Sequence, residues 1–184
     1  MEWILASASP RRKELLRELI DDFTVLPAAG EEKAQDGLPP ERLVQELARA
    51  KAQEVAALPI ARDKAVLGAD TVVAFDGKIL GKPKDEREAK AMLSALSGKT
   101  HDVYTGVCIV LPNGSVTTDV DRTQVEFFPL SAGFIDEYVA TGSPMDKAGA
   151  YGIQDGGLVK EIRGSYTNVV GLPVELLKRL FAGR

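Results

Sequence analysis

The chain has 184 residues, 45% hydrophobic and 27% charged, which is enough apolar material for one well-buried core and points to a single domain over residues 1–184. A formal charge of −4 and a pI near 5.2 argue against nucleic acid held on a basic surface, while a local cationic cluster for a small anion stays open. Cys108 is the only cysteine, so no intrachain disulfide can form, and no apolar run reaches the roughly 18 residues of a membrane span; the expectation is a soluble cytoplasmic protein with no membrane partner.

Trp3 to Ala6 reads as a short buried strand that runs through Ser7-Ala8-Ser9 into Pro10. Ser9 suits a helix N-cap and Pro10 the first helical position, and Leu15, Leu16, Leu19 and Ile20 recur at helical spacing behind them. Arg11, Arg12 and Lys13 sit in the first turn, where the helix dipole already places partial positive charge. Three cations there make sense if an anion joins them, since helix-start N–H groups and guanidinium forks together form a phosphate site; the plainer reading is a solvated basic turn.

Phe23 to Pro27 suggests a second short strand, and a polar loop from Ala28 to Pro40 carries Glu31 and Glu32. A helix is expected from Glu41 to about Leu58, with Leu43, Val44, Leu47, Ala48 and Val55 on its apolar side. Lys51 lies within it, and a lysine on a helix is most often at the surface. Val66 to Pro83 reads as a hairpin turned at Asp76-Gly77, a pair that accepts positive φ at both positions. Asp70-Thr71 falls in its apolar run, where a charge is costly unless solvated, paired or metal-bound, and Lys82 on the returning arm can come back towards Asp70. A metal-phosphate site and a buried structural ion pair both fit that stretch.

Asp85 and Glu88 open a further helix bearing Ala89, Met92, Leu93 and Leu96, stopped at Gly98. Val103 to Pro112 and Ser115 to Phe128 read as strands joined by Asn113-Gly114, and Ser131 caps a helix that Gly142 ends. His101, the sole histidine, reads as structural or surface. The run from Ser143 to Gly157 holds Asp146, Lys147, Tyr151 and Gln154 and looks like a binding loop, with a flexible connector as the alternative. A strand from Leu158 to Ile162 follows, Gly164 to Asn168 leads into Val169-Val170, and a last helix spans about Pro173 to Phe181.

Strands and helices alternate and then give way to a meander, which favours an α/β or α+β protein with a mixed sheet. Neither a P-loop nor a G-x-G-x-x-G pattern after the first strand is present. The scattered cations Arg11, Arg12, Lys51, Lys82 and Lys147, with carboxylates at Glu32, Asp70 and Asp146, form an inventory that fits metal-assisted phosphoryl chemistry.

The segments LASASPRRKELL at 5–16, GADTVV at 68–73, LGKP at 80–83, LSGKTHDVYTGV at 96–107, DKAGAYGIQ at 146–154 and GSYTNVVGLPVE at 164–175 resemble, in order, those of the Maf family of nucleoside triphosphate pyrophosphatases. The resemblance implies a mixed sheet in two lobes with flanking helices, similar to the inosine triphosphate pyrophosphatases, with a nucleotide cleft between the lobes. It implies hydrolysis between the α and β phosphates, with Asp70 as proton acceptor, Glu32 and Asp70 sharing Mg²⁺ or Mn²⁺, and Lys82 in the catalytic set. Ser9, Arg12 and Lys51 match the residues assigned to the triphosphate. The combination Arg11, Thr71 and Gln154 is similar to that of the subgroup acting on dTTP and UTP, and a glutamine amide can pair with the imide edge of a pyrimidine. A homodimer is implied on the same footing. The competing function is a nucleotide-binding regulator of cell division without significant turnover, a role with which the family is also associated through septum formation.

Overall fold

Among the residues described by the computed structural model, 1–30 and 37–183, seven strands form one mixed sheet. In chain order the elements are β1 (Trp3–Leu5), α1 (Pro10–Leu16), β2 (Thr24–Val25), α2 (Pro40–Ala56), β3 (Ala65–Phe75), β4 (Lys78–Leu80) and α3 (Glu86–Leu96). After these come β5 (Thr100–Val110), β6 (Val116–Phe127), α4 (Ala132–Ala140), β7 (Val159–Arg163), α5 (Tyr166–Val170) and α6 (Val174–Ala182). The strand order is β2-β1-β3-β5-β6-β7, with β4 also paired to β3. β1 runs parallel to β2 and β3, and the other pairings are antiparallel.

The local signals act as their chemistry dictates. Ser9 Oγ accepts from the Arg12 N–H at 3.4 Å, Asp85 from Glu88 at 2.7 Å and Ser131 from Phe134 at 3.1 Å, each satisfying an amide that the first helical turn leaves without an intrahelical partner. Asp76 and Gly77 both have positive φ, at 50° and 71°, as a type I′ turn between β3 and β4 requires. Val169-Val170 is helical. It ends the short helix α5, which Ser165 caps through the Asn168 N–H.

The strands' two-residue alternation sorts side chains onto two faces. On one face α2 packs through Ala48, Ala52 and Val55, against Ile4, Val66 and Cys108. Backbone contact is close there: a Cβ built on Gly68 would lie 2.9 Å from the Ala52 nitrogen, and one on Gly106 2.7 Å from the Gln45 nitrogen. On the other face two apolar clusters lie apart. One joins Leu67, Ala69, Val107 and Ile109 to Leu16 of α1 and to Leu176 and Leu177 of α6, and the other joins Val73, Val103, Val125 and Phe127 to α3 and α4. Between them runs a polar seam of Thr71, Thr105, Thr123 and Asn168, with the last three wholly buried. The seam is what makes two lobes out of one sheet. Among the described residues no helix is long and apolar enough to cross a membrane.

Candidate active site

β3 is shared on one edge by two strands that do not meet. β1 pairs with Ala65 to Leu67 and β4 with Val73 to Phe75, so that edge opens between the two pairings, where Asp70 and Thr71 lie. Such a divergence of neighbouring strands leaves a crevice at the ends of the parallel strands, the usual ligand position in open α/β sheets. Here it is a cavity of about 610 Å³, within the range of small-molecule sites. The β1 to α1 turn, the 143–157 segment and the residues after α5 complete its walls.

Alternation puts Asp70 on the α2 face and Thr71 on the other, so the cleft has different chemistry on its two sides. Asp70 is only 7% exposed, and Lys51 Nζ of α2 sits 2.6 Å from its Oδ1. The close seat of α2 on Gly68 and Gly106 sets that distance. Lys51, which its place on a helix alone would put at the surface and the family resemblance at the triphosphate, lies inside the cleft. Lys82 also lines the cavity, but among the described residues Asp70 pairs with Lys51 and not with the hairpin lysine. The hairpin could bring Lys82 back towards Asp70; a helix crossing above the strand supplies a nearer lysine.

On the Thr71 side, three of the described residues hold Arg12. Its Nε donates to the Gly171 carbonyl at 2.8 Å, Nη1 to Ser7 Oγ at 3.2 Å and Nη2 to Thr71 Oγ1 at 3.1 Å. A guanidinium fixed in this way presents its charge with little ordering left to lose. Arg11 reaches across the cleft mouth to Asp146 at 3.1 Å, and Lys147 meets the same carboxylate at 2.9 Å. Burial would raise the Asp146 carboxyl, but hydrogen bonds from Lys147 and Arg11 outweigh it and hold its pKa below the ordinary value.

The 143–157 segment is not a loose connector. Tyr138 of α4 donates to Asp155 at 2.6 Å and accepts from the Gly152 N–H at 3.0 Å, and Ser143 donates to Asp155 at 2.7 Å. Gln154, pinned into this frame, is exposed and lines the cavity together with Ser9. Of the expected site residues, Ser9, Arg11, Arg12, Lys51, Asp70, Thr71, Lys82 and Gln154 thus share one cavity. Glu32 lies outside the described residues. Ser7, Thr105, Asn168 and Gly171 were not picked out from the sequence. Ser7 had a signal in its alternation with Ser9, whereas threonine in a strand is too ordinary to give one.

Among the described residues no group of three or more His, Cys, Asp or Glu could hold a metal ion. Asp70 on the cavity wall is a carboxylate, and a divalent cation such as Mg²⁺ takes one or two of these, completing its shell with substrate phosphates and water.

The Maf-like protein family model matches residues 2–184. The chain belongs to that family. Relatives named dTTP/UTP pyrophosphatase include one from Lacticaseibacillus casei (strain BL23), 50% identical over 96% of both chains. Another, from Halalkalibacterium halodurans, is 52% identical over 93% of this chain and 90% of its own. A third, from Thermococcus gammatolerans, is 49% identical over 96% of this chain and 94% of its own. In fold the chain is similar to the Staphylococcus aureus Ham1 protein, with a TM-score of 0.54 at 14% identity over 100% of this chain and 99% of that one. A HAM1 protein from Coxiella burnetii gives 0.53 at 16% identity over 100% of both chains. The two-lobed mixed sheet expected of this family is the fold observed.

Proposed function

We propose that this Maf-family chain hydrolyses dTTP and UTP to the nucleoside monophosphate and pyrophosphate in the cleft beside β3. The observation that carries the reading is the charge of the cavity wall: among the described residues Arg11, Arg12, Lys51, Lys82 and Lys147 converge there with two carboxylates, Asp70 and Asp146, in a chain of net charge −4. That local excess of cations suits a triphosphate and is hard to explain as fold stabilisation, since like charges repel. The names of the relatives at about half identity supply the substrate class.

Arg12, with Ser9 and Lys51, binds the phosphate oxygens, and Arg12 needs little reorganisation to do so. Asp70 accepts the proton of the attacking water as its oxygen bonds to phosphorus and the P–O bond between the α and β phosphates breaks. Lys82 offsets the charge that grows on the phosphate oxygens. Asp70, with Glu32, would hold a divalent cation such as Mg²⁺, which would neutralise phosphate charge and polarise the phosphoryl group. Gln154 faces the base, where its amide offers a donor and an acceptor to the pyrimidine imide edge. We place the enzyme in the cytoplasm as a homodimer, on family likeness.

The test is Mg²⁺-dependent turnover of a panel of nucleoside triphosphates with the products identified. Pyrophosphate release from dTTP and UTP, reduced by at least about a hundredfold in a folded Asp70→Asn, is the expected outcome. Binding of these nucleotides without turnover would replace catalysis with a regulatory nucleotide sensor.

A further inference from the structure

A chain of hydrogen bonds with a fixed direction leads from Arg12 into the buried seam. Asn168 is wholly buried, and its side-chain nitrogen donates to the Val103 carbonyl at 3.1 Å, an atom that can only accept, so the orientation of the amide follows from its partner. The same nitrogen donates to Thr123 Oγ1 at 2.9 Å, and Thr123 is further tied to Ser165 by accepting from its N–H at 3.0 Å and donating to its carbonyl at 3.2 Å. These contacts lock α5 over β5 and β6.

The Asn168 main-chain carbonyl takes the hydroxyl proton of Thr105 at 3.0 Å. A threonine has one such proton, so in the 2.8 Å contact between Thr105 and Thr71 the donor must be Thr71. With its own proton directed at Thr105, Thr71 meets Arg12 Nη2 as an acceptor. The order Arg12, Thr71, Thr105, Asn168 therefore runs one way and ends on backbone oxygen. Gly171, just beyond α5, receives Nε of the same guanidinium, so α5 and its exit set the plane of Arg12 from two directions.

The geometry points to Thr105 as a positioning residue for Arg12: wholly buried and outside the cavity lining, it takes the proton of Thr71, anchors that hydroxyl and so holds the acceptor that fixes Arg12 Nη2 for the triphosphate. This rests on the reading of Arg12 as a phosphate ligand. It also gives Thr71 a role beyond base choice. Arginine can only donate, so Thr71 must accept from Arg12; without the Thr105 hydroxyl the proton of Thr71 loses its acceptor on this line and the hydroxyl loses its anchor.

The experiment is a double-mutant cycle read as kcat/KM for dTTP and normalised to the folded fraction. Thr105→Val keeps the branched shape and is expected to lower kcat/KM about tenfold, the worth of one hydrogen bond, while Thr105→Ser restores it to within about twofold. In an Arg12→Ala background, assayed with enzyme in excess, the same Thr105→Val change is expected to cost less than about twofold. Thr105→Ala serves as a second hydroxyl-free variant should valine impair folding. Full and additive losses in both backgrounds, or a serine variant no better than valine, would overturn the positioning role and leave Thr105 as packing. If Arg12→Ala alone left hydrolysis intact, the assignment of Arg12 itself would fall, a result distinct from the other two.

Discussion

His101 is 2% exposed, with Nε2 2.7 Å from the Tyr151 hydroxyl and its ring edge-on to both Phe127 and Tyr151. The sequence left it as structural or surface, because a lone histidine gives no clue to its depth. Packing decides for the core, behind the aromatic ring that lines the cleft. Burial lowers its pKa from 6.5 to about 4, opposed only in part by the charge of Asp102. The sign follows from linkage: between those values the unfolded chain binds the proton and the folded one does not, so stability rises with pH through that window. The contribution is complete above about pH 6.5, is lost as pH falls towards about 4, and amounts to on the order of 3 kcal/mol. Denaturant titrations between pH 7 and 5 are expected to show this slope in the wild type and a flatter one in His101→Phe. Identical slopes would assign the dependence to carboxylates instead.

At the scale of elements, the helices and hairpins were legible because their signals are local: caps at Ser9, Asp85 and Ser131, the Asp76-Gly77 turn, and apolar spacing along α2. Which element lies over which is a matter of contact across the fold. Gly68 and Gly106 carried a hint, since a glycine inside a strand often marks close approach of another backbone, yet nothing in the sequence said that the other backbone was α2. That approach is what delivers Lys51 to Asp70. Gly68→Ala or Gly106→Ala must push α2 away from the sheet, because the atoms a methyl would meet include backbone. Either is expected to destabilise the protein by roughly 3 kcal/mol and to lower turnover at temperatures where it stays folded. Gly133→Ala, within α4 and with nothing inside 4 Å of its added methyl, is the control and should gain about 0.5–1 kcal/mol. Chemical denaturation of the three variants separates the cases, and equal effects would mean that α2 does not depend on those two glycines.

For the whole molecule, the mixed sheet followed from element order, whereas the division into lobes did not. The seam that separates them consists of threonines, which strands accept anywhere, and of an asparagine in a segment without visible periodicity. The charge distribution was legible only as an inventory: scattered along the chain, the cations become a field when folding gathers them in one cleft of an acidic protein. That field has a measurable consequence. A triphosphate approaching the cavity is drawn in by the local charge while the acidic exterior repels it, and both effects weaken as the Debye length shortens. Raising ionic strength from about 0.05 M to about 0.5 M with KCl, at saturating Mg²⁺, should raise KM for dTTP roughly tenfold. Over the same range kcat should change by less than about twofold, because groups inside the cleft are screened far less. Removing one lining cation with Lys147→Gln should flatten the dependence of KM on salt, whereas exchanging the exposed Lys13, which does not line the cavity, should leave the slope as it was. A KM indifferent to salt would mean that the gathered cations act only after contact, as ligands, and do not steer the substrate.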